Sequence, residues 1–242
     1  MRNSGCVLHP SVVYSISLEK RELQEEKEKI KAKKFCALLL ALLLTMSLAA
    51  CGGGAEDTNG PTPQKQFSAG TTTGNTYTNE YFGFTCTLDE SWVFLDRDQI
   101  SQVTGQVSDI LDSDSLSDVY ASGKVVIEMY AGNTEGSTVN VTVENLGTVN
   151  GAVYDESGYV DVSLKALPDQ MTTAGYSDVS AEMVTVTFAG AQHYGISLSG
   201  KVNGSTLYET LVCIKEGNYM AVVTFATFGE DAADTMACFK AL

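Results

Sequence analysis

The chain has 242 residues and a formal net charge of −15. Eight of its 15 basic residues lie in the first 50 positions, so the rest of the chain holds seven basic and 25 acidic residues, a net charge of −18. A surface that acidic repels nucleic-acid phosphates and anionic lipid headgroups, which argues against nucleic acid as a partner and requires membrane attachment to come from another source.

The first predicted element is a signal peptide that ends at residue 50. Three lysines at residues 31–34 precede an apolar run at residues 35–46, and small residues follow it. This run is too short for a permanent membrane span, which needs about twenty apolar residues, but its arrangement is typical of an export signal. A true start near Ile30 would give a compact signal and make residues 1–29 a mis-assigned start. An unusually long n-region is the alternative.

The end of this segment, Leu48-Ala49-Ala50-Cys51, resembles the bacterial lipobox. The resemblance implies cleavage before Cys51 and attachment of diacylglycerol to its thiol, with acyl chains such as palmitate. Two acyl chains give stable anchoring, at about 0.8 kcal/mol per buried methylene. We therefore expect a lipoprotein on the extracytoplasmic face of the cell membrane.

A linker and one folded domain are predicted after Cys51. Residues 51–74 are rich in Gly, Thr and Pro, a composition typical of flexible linkers. From residue 75 to residue 242 apolar and polar residues alternate between turn signals, and this length suits a single domain.

The first half of the domain mixes both kinds of periodicity. Alternation predicts strands at residues 81–88, 92–95, 124–130 and 138–146. Apolar residues at helical spacing predict a helix at residues 99–111 and a second at residues 160–174. Gly175 suits the end of the second helix, and Pro168 should kink or restart it.

The second half predicts four consecutive strands at residues 179–188, 192–202, 206–214 and 219–228. Short separators such as Asn203-Gly204 are typical of hairpins, so the strands should be antiparallel. A last helix is predicted at residues 230–241, burying Met236 and Phe239. Helices between blocks of antiparallel strands indicate the α+β class.

The segment from Tyr77 to Thr85, Tyr-Thr-Asn-Glu-Tyr-Phe-Gly-Phe-Thr, resembles the opening of PsbP-like domains, as does the order of elements that follows. The resemblance implies an α/β/α sandwich about a central antiparallel sheet. Members of that family support photosynthetic oxygen evolution or bind the GTPase Ran, so it also implies docking or assembly. The shared motif is structural and transfers no functional residue, and this chain departs from it at Asp89, where proline is common, and at Pro168.

Two segments invite catalytic hypotheses. Residues 195–201 spell the start of a phosphate-binding P-loop, but Val202 stands where a Ser or Thr should bind magnesium, so a strand and a hairpin are predicted instead. His193 is the only histidine after residue 50 and has no G-x-S-x-G motif beside it. An ordinary strand histidine is the favoured interpretation.

Asp112, Asp114 and Asp118 form the densest acidic cluster but lack the glycine and glutamate of a calcium loop, so a solvated loop is expected. Without a C-x-x-C motif, the other candidate ligands, Cys86, Cys213 and Cys238, are predicted to be free structural thiols. Aromatic residues cluster at residues 77–94 and should be mostly core, although an exposed subset could line a groove. We therefore predict no metal and no cofactor.

The sequence thus favours a lipid-anchored, extracytoplasmic, non-catalytic module that binds a protein or another component of the cell envelope. A solute-binding component of a transporter is the first alternative, although such proteins usually close two lobes on a ligand. An extracellular hydrolase is the second. A deep cleft with convergent polar groups would favour the alternatives, and a filled core with a shallow apolar patch would favour docking.

Overall fold

The computed structural model describes residues 65–104, 125–229 and 232–242. Its strands form two antiparallel sheets, one with four strands and one with seven, and helices pack on the larger sheet. The predicted α+β class with antiparallel sheets is therefore confirmed. The aspartates at 112, 114 and 118 and the lipobox lie outside the described residues.

The described elements follow one another along the chain in this order: β1 (Thr71–Thr73), β2 (Thr76–Asn79), β3 (Phe84–Thr87), β4 (Trp92–Phe94), α1 (Arg97–Thr104), β5 (Val125–Asn133), β6 (Thr138–Asn145), α2 (Gly147–Val153), α3 (Glu156–Thr173), β7 (Ser177–Phe188), β8 (Ala191–Val202), β9 (Ser205–Glu216), β10 (Tyr219–Thr227), α4 (Ala233–Met236) and β11 (Phe239–Ala241). The larger sheet has the order β4-β5-β6-β10-β9-β8-β7, and the smaller one β1-β2-β3-β11.

The run of hairpins from β7 to β10 confirms the four predicted consecutive strands. Ala189 and Asn203 have φ angles of 47° and 50°, and the glycine after each also has a positive φ. Two left-handed residues in a two-residue loop make the turn whose twist matches that of the flanking strands. These turns fix the register over strands of nine to twelve residues.

The helix α3 confirms the predicted helical periodicity. Asp155 caps its start, because Asp155 Oδ1 accepts hydrogen bonds from the Gly158 N–H at 2.8 Å and from the Ser157 hydroxyl at 2.9 Å. The helix is assigned without interruption through Pro168, so no restart is observed there. Gly175 follows its end with a φ of 95°, the left-handed geometry expected after a helix C-terminus.

Two hydrophobic layers cover the larger sheet. On one face, valines of β6 and aromatic residues of β10 pack against residues of the smaller sheet. The hydrophobic layer between the two sheets includes Tyr77, Phe84, Val139, Val141, Phe225 and Phe239. On the other face α3 packs over β7, β8 and β9. Its core includes Tyr159, Val160, Leu167, Met171, Ile196 and Leu211. Both faces of the central strands are therefore buried.

The end of the chain corrects the prediction of a helix at residues 230–241. A helix of only four residues, α4, is followed by the strand β11, in which Phe239 pairs with Cys86 of β3. Phe239 is buried as expected, but as part of a strand that completes the smaller sheet. The edge of β3 has N–H and C=O groups that can pair with another strand. Residues 239–241 pair with this edge, and that pairing favours a strand over a helix at the end of the chain.

The start of the domain also differs from the prediction. The expected strand at residues 81–88 is replaced by β2 and β3 with a turn between them, and β1 lies inside the predicted linker. Ahead of β1, residues 65–70 form an entering segment that packs on the domain. The Phe67 ring stacks on Tyr219 with centroids 4.0 Å apart, and the Gly70 N–H donates to Glu128 Oε2 at 2.9 Å. The folded part thus includes at least the ten residues before residue 75.

Helix α2 was not predicted from the sequence. Helix α1 begins near the predicted position, where Asp96 and Gln99 exchange side-chain-to-backbone hydrogen bonds in a capping box. Its predicted continuation to residue 111 lies outside the described residues.

In the parts of the chain that the structure describes, no helix combines the length and the apolar character that a membrane span requires.

Candidate functional site

The strands β8 and β9 separate at one end of their hairpin. They pair from Val202 and Ser205 as far as Gly195 and Val212, and this fully described hairpin shows no further pairing, although both strands continue. A Cβ atom on Gly195 would lie 2.3 Å from the Leu211 carbonyl oxygen, so only glycine permits this approach of the two backbones. We call the separated ends, residues 191–194 and 213–216, the fork.

A carboxylate from α3 fills the fork. Glu156 Oε1 accepts hydrogen bonds from His193 Nδ1 at 2.8 Å and from the Lys215 backbone N–H at 3.1 Å, and Oε2 accepts one from the Tyr194 backbone N–H at 3.2 Å. Glu156 therefore satisfies backbone donors of both strands where they no longer satisfy each other. The carboxylate oxygens of Glu156 are the acceptors in all three hydrogen bonds.

A cavity of about 570 Å³ opens beside the fork. Residues 151–157, Tyr194 and Lys215 line it. The pKa of Asp155 is lowered by the hydrogen bond from the Gly158 N–H and then by that from Ser157. Lys215 Nζ donates to the Gly217 carbonyl oxygen at 2.7 Å, which holds its ammonium group at the β9–β10 turn. The charged groups of this cavity are thus held in place by local hydrogen bonds.

Exposed apolar side chains gather around the cavity. Val149 and Val153 on α2 are 68% and 69% exposed, and Tyr194 on β8 is 43% exposed. Across the described parts of the chain only two other large apolar side chains are exposed, Val93 on β4 and Leu242 at the C-terminus. We call Val149, Val153 and Tyr194 the apolar patch. Two of its three members line the cavity, and exposed apolar side chains grouped in this way are typical of an interaction site.

Two carboxyl groups lie in the core on the helix-facing side of the sheet. Burial raises the pKa of Glu144 to about 7, although the Tyr159 hydroxyl donates to it at 2.9 Å and partly offsets this rise. Burial alone raises the pKa of Glu209 to about 8. The pKa of Tyr159 is raised well above its usual value by burial and then by the charge of Glu144. Neither Glu144 nor Glu209 lines the cavity. Their raised pKa values make the stability of the domain depend on pH.

Residues of the segment from Tyr77 to Thr85 contact a third buried carboxyl group, that of Glu128. Glu128 Oε2 accepts hydrogen bonds from the Tyr77 hydroxyl at 2.6 Å and from Asn79 Nδ2 at 2.9 Å. Glu128 lies at an irregularity between Ile127 and Met129 where β5 shifts its register on β6, which turns its side chain towards the smaller sheet. Tyr77 and Asn79 therefore have structural roles, as the sequence indicated.

The other residues singled out in the sequence take ordinary positions. Residues 195–201 lie within β8 and lead into a hairpin, which confirms that they form no P-loop. Cys86 and Cys213 are buried and Cys238 is partly buried, all as free thiols, in agreement with the prediction. Burial raises the pKa of Cys86 to about 12. Among the described residues, no group of three or more His, Cys, Asp and Glu side chains could hold a metal ion.

The sequence missed the fork because it depends on contacts between distant residues. Glu156 and His193 are 37 positions apart, and nothing near either indicates the other. One signal was present in Gly195, since a glycine inside a strand often marks a close approach of backbones. None of the aromatic residues at 77–94 is among the exposed large apolar side chains of the described residues.

Comparison with known proteins shows no family. No protein-family model and no curated protein matches the chain. Among solved structures, a Pseudomonas aeruginosa protein of unknown function, described as a candidate regulator, is similar with a TM-score of 0.27 and 12% identity. The similarity covers 37% of this chain and 58% of that protein. At this level it supports no argument about fold or function.

Proposed function

We propose that this protein is a lipid-anchored, extracytoplasmic, non-catalytic binding or assembly module. The lipobox ending in Cys51 and the apolar run before it support the anchor. With a net charge of −18 after residue 50, the folded part gains nothing from an anionic bilayer, so acyl chains would have to hold it there.

We further propose a PsbP-like architecture for the domain. The seven-stranded antiparallel sheet with helices on one face supports this proposal, as do the roles of Tyr77 and Asn79 in the buried hydrogen bonds to Glu128. The opposite face carries the four-stranded sheet and the short helix α4, so on this face the layer differs from a simple α/β/α sandwich.

The observation that carries the proposed function is the apolar patch beside the cavity. Exposed apolar side chains grouped beside a cavity are typical of a surface that a partner covers. The polar groups around it support docking rather than chemistry, because Glu156 binds the two strands of the fork and Asp155 caps α3. Each already has a structural task.

Site-specific photo-cross-linking in intact cells tests this function. The full chain is made with p-benzoylphenylalanine at Tyr194 and, as a matched control, at Val93, which is 60% exposed on β4 at the opposite edge of the sheet. We expect a discrete cross-linked species from position 194 and none from position 93. Equal products at both positions, or none at either, would contradict a docking role for the patch.

A separate experiment tests the anchor. Only a thiol at position 51 can accept the diacylglyceryl group, so Cys51→Ser should abolish labelling with radioactive palmitate. It should also leave the protein unprocessed or released from the membrane. Equal labelling of both proteins would refute the proposed localisation while leaving the cross-linking result untouched.

A further inference from the structure

We propose, building on the docking function above, that the apolar patch binds a basic segment of a partner protein that inserts an apolar side chain beside Tyr194. The proposal concerns the chemistry of the partner. It rests on the shape of the patch, its exposure and the net charge of the chain after residue 50.

The geometry of the patch suits an inserted side chain. Val149 and Val153 are four residues apart on α2, so their side chains point to the same side of the helix. Val153 and Tyr194 line the same cavity of about 570 Å³, which has the size range of sites that accommodate small ligands or anchor side chains. An apolar side chain placed there would remove apolar surface of Val153 and Tyr194 from water, and Val149 lies one helical turn before Val153 on the same side of α2.

Charge selects the partner. Only seven basic residues follow residue 50, against 25 acidic ones, so the field around this part of the chain attracts cations and repels acidic proteins. Asp155 and Glu156 both line the cavity, and the one basic residue that lines it is Lys215, whose ammonium group already binds the Gly217 carbonyl oxygen. A basic segment would therefore meet attraction on approach and little competition at the patch.

The exposed ring of Tyr194 adds a contact that basic residues use well. The face of a tyrosine ring carries partial negative charge and attracts the cationic group of a Lys or Arg placed over it. The segment that fits best thus carries an apolar residue for the cavity with basic residues on either side. The basic residues distinguish this partner from one that is bound by apolar contact alone.

Three peptides test the proposal against the full-length chain in mild detergent. They are acetyl-Lys-Leu-Lys-Leu-Lys-amide, the same peptide with Glu in place of Lys, and the same peptide with Gly in place of Leu. We expect the first to bind at least about tenfold more tightly than either of the others, and to weaken several-fold as salt rises from about 20 to about 300 mM.

Matched variants locate the binding. Val149→Thr with Val153→Thr keeps the side-chain shape and should weaken the first peptide at least about fivefold, because apolar contact is lost. Val93→Thr, at a similarly exposed valine, should change nothing. All variants should keep the melting temperature of the parent chain, since the substituted side chains are exposed.

The outcomes separate this inference from the function on which it rests. Cross-linking at position 194 together with equal binding of the basic and acidic peptides would overturn the basic partner and leave the docking function standing. Absence of cross-linking at position 194 would overturn the docking function itself. Peptide binding that the double threonine variant does not weaken would overturn the placement at the apolar patch.

Discussion

The buried carboxyl group of Glu209 should make this domain less stable as the pH rises. Its side chain is 5% exposed and lies on β9 between Leu207 and Leu211, both part of the core under α3. Burial raises its pKa from 4.5 to about 8, which corresponds to about 5 kcal/mol of preference for the protonated form in the folded state.

The sign of the pH dependence follows from that direction. The folded state holds the proton more tightly than the unfolded state, so the contribution to stability is complete below about pH 4.5. It is lost progressively as the pH rises through the folded pKa of about 8. Between about pH 5 and about pH 8.5 the free energy of unfolding should fall by about 4 kcal/mol from Glu209 alone, a large part of the 5–15 kcal/mol typical of a domain.

The variant Glu209→Gln isolates this effect, because glutamine has nearly the same shape and does not titrate. Urea unfolding of the wild type and the variant should give free energies that agree at low pH and diverge towards about pH 8.5, where the variant is more stable. Glu144, with a pKa of about 7, titrates in both proteins and cancels in the comparison. The control Glu182→Gln, at an exposed glutamate on β7, should follow the wild type. Parallel curves for the wild type and Glu209→Gln would refute the reasoning.

Three further substitutions test other parts of the structure by the same unfolding measurement. Tyr159→Phe removes the donor to buried Glu144 and should cost about 1–3 kcal/mol above pH 7 but less at pH 5, where the carboxyl is protonated; an equal loss at both would contradict this. Gly195→Ala should destabilise the domain severely through its backbone clash, whereas Gly132→Ala, with contacts no closer than 3.7 Å, should be nearly neutral. Glu156→Ala leaves two strand N–H groups without their acceptor and should cost roughly 1–3 kcal/mol, with faster amide exchange confined to the fork.

Local signals account for the parts of the fold that the sequence predicted. Asn203-Gly204 supplies the two left-handed residues that a short hairpin needs, and the helical spacing from Val160 to Met171 places one face of α3 on the core. These features depend on residues close together in the chain. Their physics is visible without the rest of the molecule.

The failures come from long-range contacts that override local preference. Met236 and Phe239 have helical spacing, but β3 offers a pairing edge and Phe239 joins it. The alternation in β6 predicts one buried and one solvated face, yet Asn140 and Glu144 are 2% exposed on the side that should face water. The period of a strand predicts which residues share one face of the sheet, but it does not predict whether water or another part of the protein covers that face.

The candidate site was beyond prediction for the same reason. Glu156 reads as an ordinary residue at the start of a helix, and Tyr194 as part of an alternating strand. Their relation exists only because β8 and β9 separate at Gly195 and α3 begins opposite that point. The exposure of Val149 and Val153 depends on α2, which has neither a capping side chain nor a strong period in its sequence.

If the proposed anchor at Cys51 holds the chain at a bilayer, the packed entering segment limits how far the cavity can lie from the lipid. Because Phe67 stacks on Tyr219 at the β9–β10 turn, the chain reaches the domain at the end where Lys215 lines the cavity. If Cys51 carries the proposed anchor, fourteen residue steps separate the lipid from Lys65, a span of at most about 50 Å. The cavity would then stay within this distance of the lipid headgroups, in the layer where the exposed loops and tails of neighbouring membrane proteins lie. A partner dissolved far from the membrane would have to diffuse into that layer before it could meet Tyr194.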